Sequence, residues 1–168
     1  MLIYVKDKAQ AMREFLRVLR PGGRASLFEP INVLMSAADP DLFLGYDVTP
    51  VKTLAARVTA LYASTQPPGA DPMVDFYDRD LVRHAQDAGF GEISLELRVS
   101  VKNHKASVPW ERFLRMSGNP LVPTFQEALQ QVLSVQEADE LVRHLRPLVE
   151  SGTGLERTAL AYLTAIKG

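Results

Sequence analysis

Apolar and polar residues recur along this 168-residue chain with two different periods, and the switches between them mark out its elements. Leu2, Ile3, Tyr4 and Val5 form a short apolar run of strand formers, read as a strand. Asp7 follows, with a side chain able to accept from the free N–H groups of a helix start, and Gln10 lies three residues on. Met12, Phe15, Leu16 and Leu19 recur at three- and four-residue spacing while Arg13, Glu14, Arg17 and Arg20 face away, which predicts a helix from about Lys8. Arg20-Pro21-Gly22-Gly23 ends it, because proline cannot continue the ladder and glycine accepts a left-handed turn. A second strand is predicted from Arg24 to Glu29, and a strand, helix and strand in this order predict a parallel βαβ crossover.

From Ile31 to Asp47 no clean period holds, and the stretch reads as a loop with a short helical turn. Thr49-Pro50 supplies a cap and a first-turn proline for a helix carried by Val51, Leu54, Ala55, Val58, Leu61 and Tyr62. Gln66-Pro67-Pro68-Gly69 is a predicted loop, and Asp78 is the expected cap of a helix over 81–88, stopped by Gly89. Ile93, Leu95, Leu97, Val99 and Val101 alternate with Glu92, Ser94, Glu96, Arg98 and Ser100, a strand with one buried and one wet face. Pro109 to Gly152 reads as helical, with Thr124/Glu127 and Ser134/Glu137 as capping boxes and a kink at Pro147. The stretch 158–166, TALAYLTAI, suits a central strand covered on both sides, and an alanine-rich helix fits its periodicity nearly as well.

In sequence order, LIYV, an amphipathic helix ending in LRPGG, a strand closing in FEPIN, helix-DAGF-strand and a terminal RTALAYLTAIK resemble the second half of the class I S-adenosylmethionine-dependent methyltransferases, in the small-molecule branch. The resemblance spans the whole chain. It implies an α/β, Rossmann-like half-sheet with strands equivalent to 4-5-7-6, the last strand entering antiparallel, as one partial domain over 1–168 with a helical insertion over 106–152. It implies methyl transfer from S-adenosylmethionine to a small-molecule acceptor in the complete protein. The glycine-rich turn and the ribose-binding acid that such a cofactor needs are missing: Pro21-Gly22-Gly23 precedes a strand, and Ser151-Gly152-Thr153-Gly154 follows none. Since Met1 sits one residue before the apolar run, a truncated gene product, a misplaced start codon or a deliberately cut chain is expected. A non-catalytic half-domain acting as a binding or regulatory subunit is the alternative.

Ligands in open α/β sheets bind at the carboxyl ends of strands, here Tyr4 to Lys6 and Phe28 to Asn32. Glu29 is the positional candidate for a general base, and Asn32 for a group that orients the acceptor; a cap and a turn residue are their plainer roles. Tyr4 is a candidate for the cofactor pocket, and Tyr46, Trp110 and Phe113 for the substrate pocket, against ordinary packing for Tyr4, Trp110 and Phe113 and an ordinary loop aromatic for Tyr46. His84, His104 and His144 lack metal-ligand spacing, so no metal is expected. Asp39, Asp41 and Asp47 read as turn and capping residues.

The remaining numbers narrow the field. With 19 basic and 20 acidic residues the net charge is −1, so no field of one sign draws in nucleic acid or an anionic membrane. There are no cysteines, which excludes disulfides and thiolate chemistry, and no signal or spanning segment is visible, so the cytoplasm is the expected location. A first strand exposed at the sheet edge is expected to recruit a second copy or a partner chain through Leu2 to Val5.

Overall fold

The computed structural model describes residues 2–35, 39–65, 71–118 and 122–168. The predicted loop at Gln66-Pro67-Pro68-Gly69 lies outside them. The chain divides into two compact units, one of Met1–Ala37, Pro68–Ser100 and Thr158–Gly168, the other of Ala38–Pro67 and Val101–Arg157.

In the first unit, α1 (Lys8–Val18) begins where its cap requires, the Gln10 N–H donating to the Asp7 carboxylate at 2.8 Å. Gly22, with φ of +72°, turns the chain into β1 (Arg24–Pro30). After the single turn of α2 (Asn32–Met35) the unit resumes with α4 (Asp78–Ala88), which packs against α1 and ends on Gly89 at φ +98°. Asp78 lies inside this helix; the capping carboxylate is that of Asp80, which accepts the Tyr77 N–H at 2.8 Å. β4 (Glu92–Lys102) and β5 (Glu156–Ile166) complete a three-stranded sheet of order β1-β5-β4, and both strands run on into the second unit's residues. Of the two forms its periodicity allowed, the 158–166 stretch takes the strand. β1 and β5 are antiparallel, with Leu27 opposite Leu163. Met12, Leu81, Ala85, Phe90, Ala159, Ala161, Leu163 and Ala165 fill the core on one side of the sheet.

Leu2–Tyr4 is a 3-10 turn and not the expected first strand, so among the described residues no parallel crossover forms and the sheet has three strands. The reason lies at the end of β1. Glu29 occupies an inward register position, and its two carboxylate oxygens accept the Leu2 and Ile3 N–H groups at 2.5 and 3.1 Å. With the Val5 N–H closing onto the Leu2 carbonyl at 2.8 Å, the turn satisfies donors that a ladder would otherwise have used. Leu2 and Ile3 are buried, so this segment is not the exposed edge through which association was expected. The alternation along β4 holds for Ile93, Leu95 and Leu97 but fails at Val99 and Val101, which are 58% and 56% exposed.

The second unit opens with β2 (Leu42–Phe43) and β3 (Tyr46–Asp47), an antiparallel hairpin whose two loop residues, Leu44 and Gly45, lie at φ of +51° and +86°. Asp47 then accepts the N–H and hydroxyl of Thr49 at 2.8 and 2.6 Å, starting a 3-10 turn that leads into α3 (Lys52–Thr65). Thr49 is therefore a donor to Asp47, and Val48 stands at the cap position with no side-chain bond. Asp39 accepts the Asp41 N–H, the turn role expected of it, whereas the Asp41 side chain pairs with Lys52 at 2.7 Å. Three helices follow, α5 (Trp110–Leu114), α6 (Phe125–Val132) and α7 (Val135–Ser151), the last continuous through Pro147. Leu141, Leu145 and Val149 of α7 are fully buried, each contributing about 1.5–3 kcal/mol by leaving water.

Both capping boxes form. Glu137 accepts the Ser134 N–H at 2.8 Å and pairs with Arg57 at 2.6 Å. The Ser134 N–H, then the Arg57 guanidinium and the Ser134 hydroxyl, pull the Glu137 carboxyl from its ordinary 4.5 down to about 2. The Thr124 hydroxyl and N–H depress Glu127 in the same way. A carboxylate with a lower pKa folded than unfolded stabilises the fold above its unfolded value and loses that contribution as pH falls through its folded value. Urea midpoints should therefore fall as pH drops from about 4.5 towards 2, and Glu137→Gln should flatten that fall. An unchanged pH slope in the variant would contradict the assignment.

Candidate functional site

The carboxyl end of β1 is occupied from within. Glu29 is 1% exposed and turned onto Leu2 and Ile3, so the carboxylate expected to face an acceptor instead anchors a backbone turn. Asn32 donates its side-chain amide to the Met73 carbonyl at 3.0 Å, holding residues 71–76 against this end of the strand. Lys8 does the same from the first turn of α1. Its buried ammonium donates to the Val5 carbonyl at 3.0 Å, the Pro72 carbonyl at 2.9 Å and the Asp75 carboxylate at 2.6 Å, and lies 4.8 Å from the Phe76 ring centre. A buried ammonium is tolerable only with such partners.

Beside this clasp opens a cleft of about 450 Å³ lined by Lys6, Asp7, Lys8, Ala9, Asp75, Phe76, Asp80, Arg83 and His84. Its charges are mostly spent on each other: Lys8 on Asp75, Arg83 on Asp80 at 2.9 Å, and Asp7 on the helix start. The Lys6 and His84 side chains make no hydrogen bond or ion pair among the described residues. The cleft thus offers one ammonium and one imidazole, next to the edge of a buried phenyl ring, to a small polar molecule. No group of three His, Asp or Glu side chains able to hold a metal ion occurs among the described residues.

None of the residues expected to form a site lines this cleft. Tyr4 is 64% exposed at the end of its 3-10 turn. Tyr46, Trp110 and Phe113 do come together, but inside the second unit's core: Phe113 meets Tyr46 edge-on at 5.8 Å and stacks on Trp110 at 5.5 Å. They bury area as packing residues. Burial raises the Tyr46 phenol pKa and pushes that of Tyr62 up to about 12. It also lowers the Lys105 ammonium, an effect Glu156 opposes; Lys105 donates to the Leu44 carbonyl at 3.0 Å and lies 5.3 Å from the Tyr46 ring centre. The cleft residues escaped sequence reasoning because Lys8 and Asp75 are 67 positions apart and no local period links them. The caps at Asp7 and near Asp78 were the only sequence signals at its rim.

The fold and cleft define a class, a mixed α/β chain with a small antiparallel sheet, helices and a polar cleft at a helix start. No family model matches the chain, and no curated protein matches it. Among solved structures it is similar to the Haemonchus contortus phosphoethanolamine N-methyltransferase 2 in complex with phosphomonomethylethanolamine and S-adenosylhomocysteine, at 15% identity and a TM-score of 0.36. That match covers 99% of this chain, which spans 31% of the length of the other. A likeness at this level assigns neither family nor reaction. No helix among the described residues is long and apolar enough to cross a membrane.

Proposed function

We propose that this chain is the acceptor-side part of a methyltransferase that moves a methyl group from S-adenosylmethionine to a small molecule, and that the cleft beside α1 and α4 takes the acceptor. The observation that carries this is the place of β5. The strand that comes last in sequence lies between β1 and β4 and runs antiparallel to β1, the arrangement that RTALAYLTAIK implied by resemblance. Lys6 and His84 give the cleft its recognition chemistry, an ammonium for an anionic or hydroxyl oxygen and a ring nitrogen able to donate or accept.

The described residues do not fit the cofactor. Where a cradle would use bare glycine backbone, the chain itself fills the space. A side chain at Gly152 would meet the Lys105 carbonyl, and one at Gly154 would meet the Gly45 carbonyl at 2.9 Å and the Tyr46 ring at 2.8 Å. Gly22 has open space around it but precedes β1, at the wrong end of the strand. The proposal therefore gives this chain acceptor recognition and assigns it no step of methyl transfer. The missing cradle also favours a second reading, a half-domain that serves as a binding or regulatory subunit.

Calorimetric titration with S-adenosylhomocysteine separates the two. The 168-residue chain is expected to show no saturable binding, and the same chain extended by the sequence encoded upstream of Met1 is expected to bind in the micromolar range. Failure of the extended chain to bind would overturn the methyltransferase reading and leave the subunit.

A further inference from the structure

The ladder between β1 and β5 fixes which backbone groups of β1 are spent. The Lys167 N–H donates to the Gly23 carbonyl and the Ile31 N–H to the Ala159 carbonyl, both at 2.9 Å. These bonds bracket the paired register, so Ala25, Leu27 and Glu29 exchange bonds with β5, while Arg24, Ser26 and Phe28 aim their N–H and C=O groups the other way. Among the described residues no strand pairs with that second edge. Pro30 falls on the same register as Ser26, so its missing N–H costs the inner ladder nothing and guards only the end of the open run. The edge is flanked by an apolar hollow of about 240 Å³ lined by Phe15, Val18, Leu19, Ala25, Ser26 and Leu27, with Val18 66% exposed.

On the reading of this chain as a binding or regulatory half-domain, we propose that this edge is the seam of a symmetric dimer, in which β1 pairs antiparallel with β1 of a second copy about a two-fold axis through Ser26; in a complete methyltransferase sheet the same edge would be taken by the strand before β1. The sequence of the edge selects this occupant and this register. Centred on Ser26, Arg24 lies opposite Phe28 of the other copy on both sides of the axis, and all three residues exchange N–H and C=O bonds with a residue inside the partner strand. Arg24 then sits beside an aromatic ring on the sheet face where Arg98 already lies 5.1 Å from the Tyr162 ring centre, and Phe28, tilted against Tyr162 at 5.3 Å, is still 47% exposed on its other side. Centring on Arg24 would set two guanidinium groups face to face. Centring on Phe28 would set Pro30, which has no N–H, against Ser26. The Ser26 register also brings the two hollows to one face of a continuous six-stranded sheet. An open edge with no lysine along it, and its one proline at the end, is the kind that pairs.

The absence of cysteine makes the test clean. Across the axis the two Ser26 Cα atoms would stand about 5.5 Å apart, within disulfide reach, and the two Arg24 Cα atoms about 14 Å apart, beyond it. Under mild oxidation Ser26→Cys should form a covalent dimer and Arg24→Cys should not. Ser26→Pro removes an outward N–H and leaves the inner ladder intact, so it should weaken self-association by about tenfold or more in sedimentation equilibrium, with an unchanged circular-dichroism spectrum. A wild-type chain that stays monomeric at several hundred micromolar, or association that survives Ser26→Pro with equal cross-linking at positions 24 and 26, would overturn the proposal.

Discussion

Replacing Glu29 with alanine is expected to lower the stability of the first unit by about 2–4 kcal/mol, because two backbone N–H groups each lose a hydrogen bond to a carboxylate inside the fold. Leu2 and Ile3 should then exchange their amide hydrogens far faster, since Glu29 holds their turn. Glu29→Gln keeps one oxygen but turns an NH₂ group towards an N–H donor, so it should cost nearly as much. Urea unfolding with amide exchange read at those two positions checks both variants. The same substitution tests the role that strand position implied for Glu29. In a complete enzyme, loss of turnover at an unchanged urea midpoint would make it a catalytic group; parallel loss of both would leave it an anchor.

An equally large effect is expected at Phe125. Its ring is fully buried and meets those of Phe43, Trp110 and Phe113 at 5.5, 6.3 and 5.3 Å, so truncation to alanine opens a cavity among rings that cannot collapse into it. A loss of about 3–5 kcal/mol is expected for the second unit. Trp110 is the single tryptophan and belongs to the same cluster, so its fluorescence reports this unit's unfolding directly. A cost below about 1 kcal/mol would mean that Phe125, and with it the packing role given to Trp110 and Phe113, has been misplaced.

Periodicity and caps made most of the elements legible in the sequence. The Asp7 cap, the Gly22 turn, the Gly89 stop and both capping boxes stand where their chemistry placed them. What failed has a common cause, namely long-range partners that local pattern does not contain. Leu2–Tyr4 has strand composition and still folds as a 3-10 turn, because a carboxylate 26 and 27 positions away takes its donors. The β2–β3 hairpin was unreadable because leucine, and not asparagine, precedes Gly45 in the turn, and nothing in Phe43-Leu44-Gly45-Tyr46 carries an ordinary hairpin signal. The site was less legible than the fold. Strand-end position pointed to Glu29 and Asn32, both engaged with neighbouring backbone, whereas the open cleft is built by a lysine of α1 meeting an aspartate 67 positions later.

The central place of β5 governs how this protein leaves the ribosome. β1 and β4 both wait for a strand that is made after them, and Glu156 lies 126 positions after Pro30. At 5–20 residues per second that interval lasts roughly 6–25 seconds, during which the nascent sheet strands have no permanent neighbour. Folding of the first unit must therefore wait until β5 has been made, and slowing translation before that point should not hasten it. In that window Leu27 and Phe28 lack their cross-strand neighbours, until β5 arrives to lock between β1 and β4.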